Sequence, residues 1–132
     1  MALFIIYCID GELDNIKKIS LKNCDLECGF RWACRNGHCD IIQYLVNLYK
    51  TDINGNINTY DPIYIHAFGE LGFTWACMNG HYDIVQYLVN LYKTDNTYKP
   101  ININNNGFRW ACDKGHYNIV RYLCELYQND NM

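Results

Sequence analysis

Residues 29–52 read GFRWACRNGHCDIIQYLVNLYKTD, and residues 72–95 read GFTWACMNGHYDIVQYLVNLYKTD. The two stretches differ only at 31/74, 35/78, 39/82 and 42/85, so 20 of 24 positions are identical. A third copy, GFRWACDKGHYNIVRYLCELY, occupies residues 107–127. A worn fourth copy, YCIDGELDNIKKI, covers residues 7–19, with Cys8 in the place of Cys34, Gly11 in that of Gly37, Asp14 in that of Asp40 and Ile16 in that of Ile42. Repetition at this scale marks an array of small structural units. Gly11, Gly37, Gly80 and Gly115 set the register, at intervals of 26, 43 and 35 residues. Near-identical copies at uneven intervals place the extra residues in the connections.

Each copy reads as two short helices around a tight turn. The first helix is expected over Phe30–Asn36, with equivalents at Phe73–Asn79 and Phe108–Lys114. Phe30, Ala33 and Cys34 stand at i, i+3 and i+4, which gathers them on one face. Gly37 supplies the left-handed residue that ends a helix without a Cβ penalty. The second helix begins near His38, with Asp40 in its first turn to meet the positive end of the helix dipole. Ile41, Ile42, Leu45, Val46 and Leu48 form its apolar stripe. Helices below about 12–15 residues are marginal in water on their own. The stripes must therefore be covered by neighbouring units, and a solenoid follows. Trp32, Trp75 and Trp110 recur at one position and Tyr44, Tyr87 and Tyr122 at another, so stacking should align them in ladders.

At WACRNGH followed by DIIQYLV the pattern resembles the ankyrin repeat, T-P-L-H-x-A-A-x-x-G-H followed by the apolar second helix. Ala33-Cys34 stand at the paired-alanine positions, and Gly37-His38, Gly80-His81 and Gly115-His116 at the Gly-His turn. The Thr-Pro-Leu-His opening is absent: Cys28-Gly29-Phe30-Arg31, Leu71-Gly72-Phe73-Thr74 and Asn106-Gly107-Phe108-Arg109 take its place. The Thr–His bonding of the family at that corner cannot form, and irregular finger loops are expected. The Gly-Ala-Asp that follows the family's second helix is missing too, and Asn-Leu-Tyr-Lys-Thr-Asp is expected to extend that helix. The variant is most similar to the divergent ankyrin proteins of giant amoeba-infecting DNA viruses, the mimivirus-like type. The fold class is all-α, an ankyrin-type solenoid over residues 1–132. Its units are a degenerate N-terminal cap (1–28), a unit with a long insert (29–71), a third unit (72–106) and a C-terminal unit (107–132).

Composition narrows the function. Of 132 residues, half are hydrophobic and 19% charged, a globular balance. Eleven basic against 14 acidic residues give a net charge of −3, which argues against a nucleic-acid coat or a polybasic membrane patch. Ser20 is the sole serine beside 12 tyrosines, so serine nucleophile chemistry has little to draw on. The apolar stretch from Ala2 to Ile9 has no basic flank or cleavage site and is far below the roughly 18–20 residues of a membrane span. No Asn-X-Ser/Thr acceptor occurs. The eight cysteines are therefore expected as free thiols in a reducing, intracellular and cytoplasmic setting.

Cys24, Cys28, Cys34, His38 and Cys39 fall within sixteen residues, and thiolates with imidazole are zinc ligands. Their spacing contains no C-x-x-C pair, and Cys34, Cys77 and Cys112 recur where small buried residues belong. Packing is the stronger reading, and no metal or cofactor is assigned. His38, His81 and His116 sit in equivalent turns; three copies of one base make no active site, so an imidazole-to-backbone hydrogen bond across the loop is expected. His66, in the insert, is expected to be solvated. The tryptophans and tyrosines could stack a flat ligand, but at helical spacing they read as core and inter-unit contacts. No nucleotide, metalloprotease or hydrolase motif occurs.

Position 35/78/113 holds Arg, Met and Asp, and 36/79/114 holds Asn, Asn and Lys, while the packing positions are constant. The resemblance places these residues on the concave binding surface. Arg35, Asn36, Met78, Asn79, Asp113 and Lys114 are its expected protein-binding residues, followed by Arg31, Thr74 and Arg109, with Glu27, Phe68 and Glu70 from the fingers. The insert 53–67 either carries contacts or folds back over apolar surface. The resulting expectation is a monomeric, non-enzymatic module that binds a protein partner, a host protein if the viral resemblance holds, and neither nucleic acid nor membrane. The alternatives are a metal- or thiol-dependent regulator on the same scaffold and a fragmentary array without a partner of its own.

Overall fold

The turn glycines adopt the conformation their register requires. In the computed structural model, which describes residues 2–48, 67–94 and 106–130, Gly11, Gly37, Gly80 and Gly115 have φ of 79°, 84°, 78° and 77°. This is the left-handed region that glycine enters without strain. Gly37 closes its helix with its N–H on the Ala33 carbonyl, which also accepts from the His38 N–H, both at 3.0 Å. Each glycine separates two helices: α1 (Ala2–Asp10) from α2 (Leu13–Ile16), α3 (Leu26–Asn36) from α4 (Cys39–Asn47), α5 (Ala67–Met78) from α6 (Tyr82–Thr94), and α7 (Asn106–Lys114) from α8 (Tyr117–Asp130). The described residues hold no strand, and the expected all-α solenoid is what is found. No described helix is long and apolar enough to cross a membrane.

The first helices start earlier than their apolar spacing indicates. Asp25 caps α3, its side chain accepting from the Cys28 N–H at 3.0 Å, which adds a turn before Phe30. Cys28 and Gly29 are thus inside a helix, where the family opening would make a corner. Glu27 lies in the first turn of α3, and Phe68 and Glu70 lie within α5. These three residues were expected on finger loops and stand on helices instead. The extension of the second helix is seen in α6, which runs through Thr94. His66 and the insert up to that point lie outside the described residues, and Ala67 opens α5.

The helices stack in two rows. α1, α3, α5 and α7 pack side by side in the first row, and α4, α6 and α8 form the second, more loosely spaced row. Between the rows lie Ile16, Ile41, Ile42, Leu45, Val46, Ile84, Val85, Leu88, Val89, Ile119 and Leu123, all essentially without exposure. Within the first row, an aromatic ring of one unit rests on a glycine of the next. A Cβ on Gly29 would stand 2.5 Å from Phe4 Cε2 and 2.9 Å from Cys8 Sγ, and one on Gly72 would stand 3.0 Å from Phe30 Cε1. Gly107 is buried in the same register. The repeated Gly-Phe pair is therefore an inter-unit joint: glycine admits the ring of the unit before, and phenylalanine enters the unit after.

Phe73 is 1% exposed, whereas Phe108, in the last described first helix, is half-buried. Phe73→Ala should lower the unfolding free energy by about 3–5 kcal/mol. Phe108→Ala should cost less than half as much. Urea denaturation of the two variants checks this, and equal losses would contradict the stacking order.

Candidate functional site

The site is built on the face of the first helices that packing leaves over. On α3, Phe30, Ala33 and Cys34 face inward and are buried. Trp32 is followed at i+3 and i+4 by Arg35 and Asn36, which are exposed. The Trp32 and Trp75 ring centroids are 5.7 Å apart with planes inclined at 45°. The Arg35 guanidinium lies 5.3 Å from the Trp32 ring and 5.2 Å from the Trp75 ring. Two aromatic faces thus hold one cation across a unit boundary, an attraction of about 0.5–1 kcal/mol at an exposed site. One unit further, Lys114 Nζ lies 5.7 Å from the Trp110 ring. Asn106, Arg109, Trp110 and Asp113 line a shallow open cleft of about 280 Å³ there.

The expected contact residues divide on this face. Arg35, Asn36, Asn79, Arg109, Asp113 and Lys114 are exposed, and Met78, Arg31 and Glu27 are half-buried. Thr74 is only 8% exposed and has little surface to offer. The side chains of Phe68 and Glu70 lie outside the described residues. Asn36 and Asn79 each donate an amide hydrogen to the carbonyl four residues back, Trp32 and Trp75 respectively, at 2.9 Å. Part of their hydrogen-bonding capacity therefore caps their own helices. The tryptophans were read as core and inter-unit contacts. The first two are half-buried, and Trp110 is 39% exposed. The signal was available in the helical period, because position 32 shares a face with 35 and 36 and not with 30, 33 and 34. Of the expected ladder of Trp32, Trp75 and Trp110, the Trp32–Trp75 contact is the one seen among the described residues. Among the second helices, Tyr82 meets Tyr122 edge-on at 5.6 Å.

The histidines are structural, but they bridge units and not their own loops. His38 Nε2 donates to the Ile9 carbonyl at 2.8 Å, His81 Nε2 to Arg35 and His116 Nε2 to Met78, both at 2.9 Å. A carbonyl oxygen only accepts, so Nε2 carries the hydrogen in each ring. The same rings fill the space above the preceding turn glycine. A Cβ on Gly11 would stand 2.6 Å from His38 Cε1, one on Gly37 2.7 Å from His81 Cε1, and one on Gly80 2.8 Å from His116 Cε1. The His81 bond fixes the backbone of Arg35 itself, which ties the exposed cation to the stacking of the next unit.

The cysteines are free. Burial pushes the Cys8 thiol up to about 12, with the neighbouring thiolates of Cys28 and Cys24 adding to the effect. Burial alone does the same for Cys77, and it raises Cys34 well above its ordinary value. Among the described residues no group of three or more His, Cys, Asp or Glu is arranged to hold a metal ion. His38, one of the sequence-level zinc candidates, spends Nε2 on Ile9. Cys112 and Cys124 are exposed. Because the thiolate is the reactive species, labelling of the native protein near pH 8 should be fast at Cys112 and Cys124. It should be at least about a hundredfold slower at Cys34 and Cys77, where burial blocks both access and ionisation. Mass spectrometry of the labelled peptides reads this out, and rapid labelling of Cys77 would contradict the packing.

Ankyrin repeats, in three copies, match residues 30–132 of the chain at the level of the family model. No curated protein matches it. The three Gly-His turns, the paired-helix units and their stacking agree with that match, and the chain belongs to the ankyrin repeat family.

Proposed function

We propose that this array is a non-enzymatic interaction module that grips a partner protein with the concave, first-helix side of the stack. Ankyrin repeats generally mediate protein–protein interaction, and the proposal assigns that role to a particular surface. The observation that carries it is the Trp32–Arg35–Trp75 stack, a cation held between aromatic rings in the open. Tryptophan and arginine are the residue types that most often dominate binding energy at interfaces. Around this stack the residues outside the core vary along the array: Arg35, Met78 and Asp113 at one position, and two asparagines and a lysine, Asn36, Asn79 and Lys114, at the next. Arg31 and Arg109 flank them on the same helices. A surface whose frame is constant and whose tips vary offers three different contacts at fixed spacing, and its rigidity reduces the entropy lost on binding.

The partner in this reading is a protein inside the cell that houses the chain. If the viral resemblance of the repeats holds, that protein belongs to the host. The module acts as a monomer whose residues 1–28 cap the units at 29–71, 72–106 and 107–132.

Replacing Arg35, Met78 and Asp113 together by alanine tests the surface, since none of the three side chains is in the core. Affinity capture by the native chain and by the triple variant should differ by at least about tenfold in the recovered partner, with thermal unfolding lowered only by the few degrees that losing the Arg35 ring contacts costs. Equal recovery would remove the first-helix face from the account.

A further inference from the structure

Arg35 is held firmly by its neighbours, yet its donors have no acceptor. Its guanidinium lies 5.3 Å from the Trp32 ring and 5.2 Å from the Trp75 ring, and His81 holds its backbone carbonyl at 2.9 Å. A guanidinium carries five N–H donors in one plane, and an indole ring offers them no lone pair. Among the described residues no carboxylate or carbonyl accepts from them either. A planar fork of donors fixed in this way matches a carboxylate, which accepts two parallel bonds from it.

The charge around this joint has the sign that such a ligand requires. On α3, Arg31 and Arg35 stand against Glu27, and from Thr74 to Met78 the adjoining α5 carries no ion. The joint thus has a positive excess in a chain whose net charge is −3. Phosphate groups are read by clusters of arginines, whereas one ring-held guanidinium suits a carboxylate. One unit on, Met78 takes the place of Arg35 and offers a half-buried apolar side chain. Packed helix axes stand about 8–10 Å apart, which sets the step between the two tips. A polyproline II segment presents every third side chain on one face, about 9 Å apart. Segments of that kind dock on surfaces lined with aromatic rings, and the Trp32–Trp75 pair spans the same step from α3 to α5.

We propose that the Trp32–Arg35–Trp75 joint and Met78 together receive an extended acidic segment of a partner protein. An Asp or Glu carboxylate of the segment sits on the Arg35 guanidinium, and an apolar side chain three residues away sits on Met78. This rests on the first-helix face being the binding surface, and it names what that surface selects. The carboxylate takes two N–H bonds in the plane of the guanidinium while the rings keep their hold on it. Lysine in place of Arg35 keeps the charge but loses the fork. A helical partner, by contrast, repeats a face every seven residues, about 10.5 Å along its axis, so the spacing in the ligand tells the two apart.

Random dodecapeptides displayed on phage and selected on the native chain are the probe. The selected peptides should share an Asp or Glu and an apolar residue three positions away, in one fixed order. Resynthesised and followed by fluorescence anisotropy, they should bind the Arg35→Gln variant at least about tenfold more weakly, and Arg35→Lys should not restore native binding. Changing the shared carboxylate to its amide should cost as much on the native chain and nothing further on Arg35→Gln. Circular dichroism establishes that both variants are folded. Absence of any selected peptide overturns the proposal, as does unchanged binding by Arg35→Gln or a shared spacing of seven. Peptides that lack the spaced pair but lose binding to the alanine variant of Arg35, Met78 and Asp113 overturn it and leave the first-helix face in place. Peptides that bind that variant as well as the native chain remove the face too.

Discussion

One contact recurs through the molecule and sets its geometry: an imidazole laid over the turn glycine of the unit before it, with its Nε2–H on that unit's backbone. The turn needs a residue at positive φ, and the incoming ring needs the absence of a Cβ. Glycine meets both demands at once. Each hydrogen bond contributes only about 0.5–1.5 kcal/mol, and burying a phenylalanine ring at the adjoining joint contributes about 1.5–3 kcal/mol. The helices of a single unit are too short to be stable alone. The stability of the array therefore comes from two sources: the joints that repeat between units along the first row, and the apolar layer between the two helices of each unit.

That arrangement also explains where a partner has room. Phenylalanine, alanine and cysteine at 30, 33 and 34 are committed to packing, and so is the turn. Helical geometry leaves 32, 35 and 36 facing out, and these positions combine a constant tryptophan with changing polar or apolar tips. Packing thus occupies one side of the short helix, and the proposed recognition surface lies on the other. The His81 bond to the Arg35 carbonyl joins the two, because stacking the next unit holds the arginine backbone in place.

Much of this was legible in the chain itself, for a physical reason. Three near-copies expose which positions tolerate change, and the left-handed glycine, the apolar stripe and the two-helix unit are local features that spacing reports. The helix start at Asp25 was missed because the Gly in the added turn (Leu26, Glu27, Cys28 and Gly29) reads as a loop residue, although Leu26 continues the apolar period of Phe30 and Ala33 and packs against the core, and Asp25 offers a capping carboxylate. For the same reason Glu27, Phe68 and Glu70 were placed on loops that are helices. The histidine contact was anticipated in kind but not in span, since a bond from His81 to Arg35 crosses 46 positions of sequence. The outward lean of the tryptophans was obscured by their size, which favours a core assignment, although their register pointed the other way.

The central claim is that Gly37 and His81, far apart in the chain, act as one joint. A double-mutant cycle with Gly37→Ala, His81→Ala and the pair, read by urea denaturation, measures it directly. Removing the imidazole should relieve the crowding that a Cβ at position 37 creates. The pair should therefore cost less than the sum of the single losses by about 1 kcal/mol or more, within the range seen for residues in contact. Losses that add to within about 0.5 kcal/mol, as for independent sites, would contradict the account.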